Sequence, residues 1–196
     1  MLRSLSTRTR RRGMQTTSTA KLTYADFLSF PDDGQRHELV GGRHYVTPSP
    51  MTKHQRVVGR MLVALDAYLS ATGLGEVFVA PLDVLLSDHD VVEPDVFVIL
   101  AGQDILTDKH VVGAPGIVIE IASPATRRRD RGVKRNLYDR TGVREYWMVD
   151  PDGGSATLFR RTPAGALTDI LSIDASASIT SPLLPAFTLA LTALFK

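Results

Sequence analysis

Cysteine is absent from all 196 residues, which excludes disulfides, thiolate zinc sites and cysteine nucleophiles together. A metal site must therefore draw on carboxylate, carbonyl or histidine ligands, a set that favours hard cations such as Mg²⁺ or Mn²⁺. No apolar run approaches the roughly eighteen residues that cross a membrane, so no membrane partner is expected. A glycine-rich phosphate cradle is missing too, which leaves a phosphatase or nucleotide hydrolase without support. Nor is there a zinc finger, a recognition helix or any other reader of base sequence. Acid is missing from the first twenty residues, which carry Arg3, Arg8, Arg10, Arg11 and Arg12. Without those five, the 23 basic residues fall to 18 against 21 acidic ones, so the basic character belongs to the tail. Such a tail fits a nucleic-acid grip, an organellar transit signal, or an overlong translation start ahead of Met14. Residues 1–20 are set apart, and one domain is expected over residues 21–196.

What is present reads as an ordinary globular chain, 43% hydrophobic and 22% charged. "TYAD" makes a capping-box signature that opens a short helix to about Phe30. "RHELV" and "RHYV" flank Gly41-Gly42, a hairpin signal. From Thr52, residues Val57, Val58, Met61, Leu62, Leu65, Tyr68 and Leu69 recur at helical spacing until Gly73. Strands are expected at 76–81, 83–87, 95–100 and 116–123. A helix should follow from about Asp130 to Thr141, and then a strand pair at 144–151 and 156–161. "LTDIL" and "FTLALTALF" read as edge strands. This order argues an α/β (α+β) domain with a mixed sheet packed by helices.

Two acids stand out. In "GIVIEIAS", Ile117, Ile119 and Ile121 share one face, and Val118 shares the other with Glu120. A buried, unpartnered carboxylate costs several kcal/mol or is driven neutral. Asp95 follows Pro94 at the mouth of another apolar run, where the missing ladder N–H suits a first strand residue. Singly, Asp95 reads as a turn cap and Glu120 as the partner of an arginine. On neighbouring strands, the two would repel unless a cation lay between them, and a divalent metal resolves both difficulties. Lys134 and Tyr138 lie four apart on one face of the next helix, beside a Val133–Leu137 stripe. Packing that stripe on the sheet would carry Lys134 towards Glu120, where it could hold a metal-bound water. Arg127, Arg128, Arg129, Arg131 and Arg135 surround it, with Asp130 the lone acid from 127 to 135. They form either a phosphate-gripping edge or a solvated helix start.

"HELVGGR" (37–43), "EPD" (93–95), "IVIEIASP" (117–124) and "RDRGVKRNLYDRTGVREYWMVDP" (129–151) together resemble the Uma-two family. That family is placed among the restriction-endonuclease-like proteins of the PD-(D/E)xK nuclease superfamily. The resemblance spans roughly residues 22–195. It implies a restriction-endonuclease-like core, a central mixed sheet flanked by helices with a divalent metal on adjacent strands. By position it makes Asp95 the aspartate of the PD motif, Glu120 the second metal ligand and the Ile121 backbone carbonyl a third. The superfamily lysine should fall two residues after the glutamate, but Ala122 stands there, and Lys134 takes the role on the following helix. Glu38 corresponds to an additional acid near the metal, or else is an exposed hairpin residue. His54 would face substrate or merely sit near a helix terminus, and Tyr138 would bond a carboxylate or a phosphate. Ser123 and Asp130 are expected to shape the loop and cap the helix. The reading is a Mg²⁺- or Mn²⁺-dependent cytoplasmic endonuclease on DNA, with a homodimer possible. Its alternative is a non-cleaving nucleic-acid- or protein-binding module on the same fold.

Overall fold

The computed structural model describes residues 20–123 and 126–196, so the arginine-rich tail and Pro124-Ala125 lie outside the described residues. The capping box forms as expected. Thr23 Oγ1 accepts from the Asp26 backbone N–H, and Asp26 accepts in return from the Thr23 N–H at 2.8 Å, opening α1 (Tyr24–Phe27). The hairpin β1 (Arg36–Val40) and β2 (Arg43–Thr47) turns on Gly41 and Gly42, whose φ angles of 60° and 74° are those a tight two-residue turn demands. α2 (Thr52–Thr72) buries Val57, Met61, Leu65 and Leu69, one residue per turn. Gly73 ends it with φ 67°.

β3 (Gly75–Val79), β4 (Val84–Ser87), β5 (Asp90–Val92), β6 (Val96–Leu100), β7 (Val111–Val112) and β8 (Ile117–Ile121) follow. The next helix comes in three pieces: α3 (Arg127–Arg129), a π turn (Asp130–Lys134) and α4 (Arg135–Thr141). β9 (Glu145–Asp150), β10 (Ser155–Arg161), β11 (Leu167–Asp174), β12 (Ser178–Ser181), β13 (Leu184–Ala190) and α5 (Leu191–Leu194) complete the chain. The helix therefore begins at Arg127, three residues before the expected start. "FTLALTALF" divides into strand and helix, where one edge strand was expected. The short β5, β7 and β12 carried no expectation.

Six strands form the central mixed sheet in the order β11-β10-β9-β8-β6-β3. β8 runs parallel to β9 and antiparallel to β6. Period-two alternation puts Ile117, Ile119 and Ile121 on the face under α2, in a core shared with Val96, Val98 and Trp147. Val118, Phe97 and Tyr146 face the opposite core with Leu137 and Tyr138 of α4. A second sheet, β2-β1-β5-β4-β7, closes over that side through Val40, Val84, Val92 and Val111. No described helix is long and apolar enough to cross a membrane.

Candidate active site

The register Val96↔Ile119 brings the mouth of β6 beside Glu120 on β8, so the two sequence-selected acids do sit on adjacent strands. Both line one cavity of about 260 Å³ with Ile121, Ser123, Asp130 and Lys134. Asp95 is not a turn cap. Its Oδ1 accepts from Arg36 Nη1 at 2.8 Å, and its Oδ2 from the Ile121 N–H at 2.8 Å. His54 Nε2, on the first turn of α2, lies 3.0 Å from that same Oδ2. Burial opposes ionisation of Asp95, but His54 and Arg36 outweigh it and hold the carboxyl well below the usual range.

Glu120 keeps 3% of its surface exposed and meets a lysine and a phenol rather than an arginine. Lys134 Nζ donates to Oε1 at 2.7 Å, and so does the Tyr138 hydroxyl at 2.7 Å. Burial pushes the Glu120 carboxyl up to about 7; Lys134 opposes the rise, but the neighbouring acids Asp95, Asp130 and Glu38 add to it. Lys134 itself is 1% exposed and reaches Glu38 Oε1 at 2.8 Å as well. Burial disfavours its ammonium, yet Glu120, Glu38 and Asp130 overcome that and raise its pKa. Two of its three N–H groups are thus spent on carboxylates, which leaves one for an oxygen in the cavity. Glu38 is fully buried on β1, not an exposed hairpin residue. Burial would raise its pKa, but Lys134 and Arg129 bring it down on balance.

The π turn explains how one helix delivers three inward groups. In a regular α-helix a four-residue step overshoots a full turn by roughly 40°. The wider π turn, with its i→i+5 bonds, undershoots instead. Across Asp130, Lys134 and Tyr138 the two errors offset, and all three side chains are buried. The same phase change corrects an expectation: Leu137 packs in the core, but Val133 turns outward and is 37% exposed.

The arginines divide. Arg127 Nη2 donates to Asp150 Oδ1 at 2.8 Å. Arg129 Nη2 donates to Thr47 Oγ1 at 2.9 Å and lies 3.3 Å from Glu38 Oε2. Arg135 lies over the Phe159 ring, 4.9 Å from its centroid. Only Arg128 and Arg131 are exposed, so the expected phosphate-gripping edge narrows to these two. Ser123 shapes the loop by pairing with Thr126 Oγ1 at 3.1 Å. Asp130 caps no helix N-terminus; it is 2% exposed, its Oδ1 has no partner among the described residues, and it lines the cavity. Sequence reading also passed over Arg36 and Glu93. Arg36 Nη2 donates to the Glu93 carbonyl, and Arg36 Nε lies 3.7 Å from Glu93 Oε2.

Together the half-buried Arg36 and Arg129 and the buried Lys134 form a cluster with five buried carboxylates (Glu38, Glu93, Asp95, Glu120, Asp130). With these carboxylates ionised and the adjoining His54 imidazole neutral, it falls two positive charges short. Burial raises the carboxyl pKa of Glu93 and Asp130 as it does that of Glu120, as expected where cations are too few. Among the described residues no three His, Cys, Asp or Glu side chains stand together as ready metal ligands. Two carboxylates and a backbone carbonyl nonetheless suit a hard divalent cation. Asp95 accepts three bonds of about four available, and Glu120 Oε2 accepts none among the described residues, so lone pairs remain. The donor set and the missing double charge fit such an ion.

The fold is similar to that of a crystal structure described as "a putative nuclease belonging to DUF820 from Anabaena variabilis ATCC 29413". The two superpose with a TM-score of 0.75 at 19% identity, covering 89% of this chain and 97% of the other. No curated protein matches the sequence. Residues 24–192 match the family model of Uma2, described as "Putative restriction endonuclease". With most of its length accounted for by that match, the chain belongs to the Uma2 family, the Uma-two family of the sequence comparison.

Proposed function

We propose that the chain is a divalent-metal-dependent endonuclease that hydrolyses DNA phosphodiester bonds. The observation that supports this reading most is the buried cluster two positive charges short, with Asp95, Glu120 and Lys134 lining one cavity. Asp95, Glu120 and the Ile121 carbonyl would hold Mg²⁺ or Mn²⁺, which when bound supplies Lewis acidity and a lowered pKa for water. Arg36 and His54 fix the Asp95 carboxylate in place. Glu38 and Glu120 brace Lys134, whose remaining N–H is available to orient the attacking water and offset developing negative charge. Tyr138 steadies Glu120 by donating to the same Oε1 that Lys134 meets. Water oxygen attacks phosphorus in line and the P–O3′ bond breaks, leaving a 5′-phosphate and a 3′-hydroxyl by analogy with the superfamily. Exposed Arg128 and Arg131 would neutralise flanking phosphates, with Arg127 and Arg129 steering from their carboxylate partners. Cutting both strands would call for a homodimer, and a DNA substrate for a cytoplasmic site of action.

The test is nicking of supercoiled plasmid by the wild type, Asp95→Ala and Lys134→Ala with Mg²⁺, Mn²⁺ or EDTA. Nicking should require the metal, vanish in Asp95→Ala and fall roughly 100-fold or more in Lys134→Ala. Full activity in either variant removes the proposal. One observation favours a second reading, a non-cleaving binding module: Asp95 already has three hydrogen-bond partners, as in a purely structural ion pair. That reading requires DNA retention with no turnover in any metal.

A further inference from the structure

Beside the acid-lined cavity runs a second, more open groove of about 550 Å³. The two share a wall made by Thr47, Pro48, Thr126 and Arg129. The groove's other sides are unlike the cavity's. Val46 and Val133 are 43% and 37% exposed and present apolar surface to solvent. Tyr45 adds a half-buried aromatic ring, and Arg128 an exposed cation at the margin. Gly132 leaves the side near Val133 open, because a Cβ there would meet nothing within 4 Å. Arg129 stands at the junction, its guanidinium 5.6 Å from the Tyr45 ring centroid and its Nε a buried donor with no acceptor among the described residues.

We propose that this groove binds the unpaired base next to the scissile phosphate, so that the substrate is single-stranded or locally melted DNA. The inference rests on the reading that a DNA phosphate enters the acid-lined cavity. Its geometry then carries it. Asp95 and Glu120 are 5% and 3% exposed and line the cavity to which that wall also belongs. A phosphate that reaches them brings its nucleoside to that wall, where apolar faces, an aromatic ring and arginines meet. This combination suits the flat face and charged backbone of an unstacked nucleotide. In an intact duplex the same base is stacked inside the helix, turned away from the protein, and must be extruded at a cost of stacking and pairing. Duplex would leave the apolar wall wet and the Arg129 Nε without an acceptor.

Fluorescence anisotropy of the full chain in EDTA tests this without any turnover, using one short labelled DNA oligonucleotide as a single strand and as a blunt duplex. The single strand should bind about tenfold tighter. Val133→Asp should abolish that preference by placing a carboxylate on the groove wall, while Val133→Met, apolar and equally exposed, should keep it. Equal affinity for the two forms, a surviving preference in Val133→Asp, or its loss in Val133→Met overturns the inference. Because binding is read without metal, a preference in EDTA together with no plasmid nicking in Mg²⁺ or Mn²⁺ would sink the nuclease reading while leaving the groove assignment intact.

Discussion

A lysine with 1% of its surface exposed keeps its charge only because two carboxylates face it. Lys134→Met would strand both in the same volume, and urea unfolding should register a loss of about 3–5 kcal/mol. Adding Glu120→Gln removes one stranded charge, so the double variant should recover part of that loss; strictly additive costs would refute shared burial. Asp130 shows the opposite sign. Neutralising it as Asp130→Asn lessens the charge deficit, so the protein in EDTA should melt about 2–4 °C higher. Its further rise on adding Mg²⁺ should be smaller than in the wild type, and an unchanged melting profile in both conditions would count against the charge argument. Asp90 tests pH dependence away from the site. Burial works to raise its carboxyl, but Arg140, Ser87 Oγ and the Gly41 N–H prevail and lower it. A depressed folded-state pKa means this stabilisation is complete above the unfolded value near 4 and is lost as pH falls further. Asp90→Asn should thus cost roughly 1–3 kcal/mol at pH 7 and much less at pH 3. A cost independent of pH would mean that the charge is not what matters. That Asp95, Glu120 and Lys134 meet was legible in the sequence, because acids beside apolar runs demand partners and Lys134 lies at helical spacing on the helix that follows the Glu120 strand. Arg36 was not, since an arginine opening a strand looks the same whether it faces solvent or an aspartate.

At the scale of elements, the long amphipathic helix and the hairpin were readable from spacing alone, because burial enforces a period and a tight turn enforces glycine. Gly42 adds a second reason for that residue: a Cβ there would come within 2.5 Å of Lys21 Cβ. Gly42→Ala should therefore cost more than the roughly 1–2 kcal/mol of a left-handed backbone alone, measured by thermal unfolding. A smaller loss would show that the Lys21 segment yields easily. The π turn left no such trace. A wheel drawn at 3.6 residues per turn pairs Val133 with Leu137, and only the wider turn reveals that one faces out and the other in. Asp130 was misjudged for the same reason, being one acid in a run of arginines that reads as a solvated surface. Burial of β5 was equally hidden, because three residues are too few to display a period.

For the molecule as a whole, alternation in "IVIEI" predicted both the central sheet and which face holds the acid. The second sheet was not foreseen, since it closes through short strands far apart in sequence. Its arrival over the site buries Glu38 and makes a hairpin residue the second carboxylate partner of Lys134. Charge at this scale would govern the proposed association with DNA. Replacing Arg128 and Arg131 together by Ala should weaken binding and reduce the slope of log affinity against log salt by about two. An unaltered slope would place the phosphate contacts elsewhere. The shortfall of two charges has a practical corollary for anyone purifying this protein. A nickel-column eluate stripped with chelator and stored cold holds the form with its carboxylates least compensated, and its measured shelf life belongs to that form alone. Stocks kept in millimolar magnesium should outlast chelated ones at equal concentration, before any nucleic acid is added.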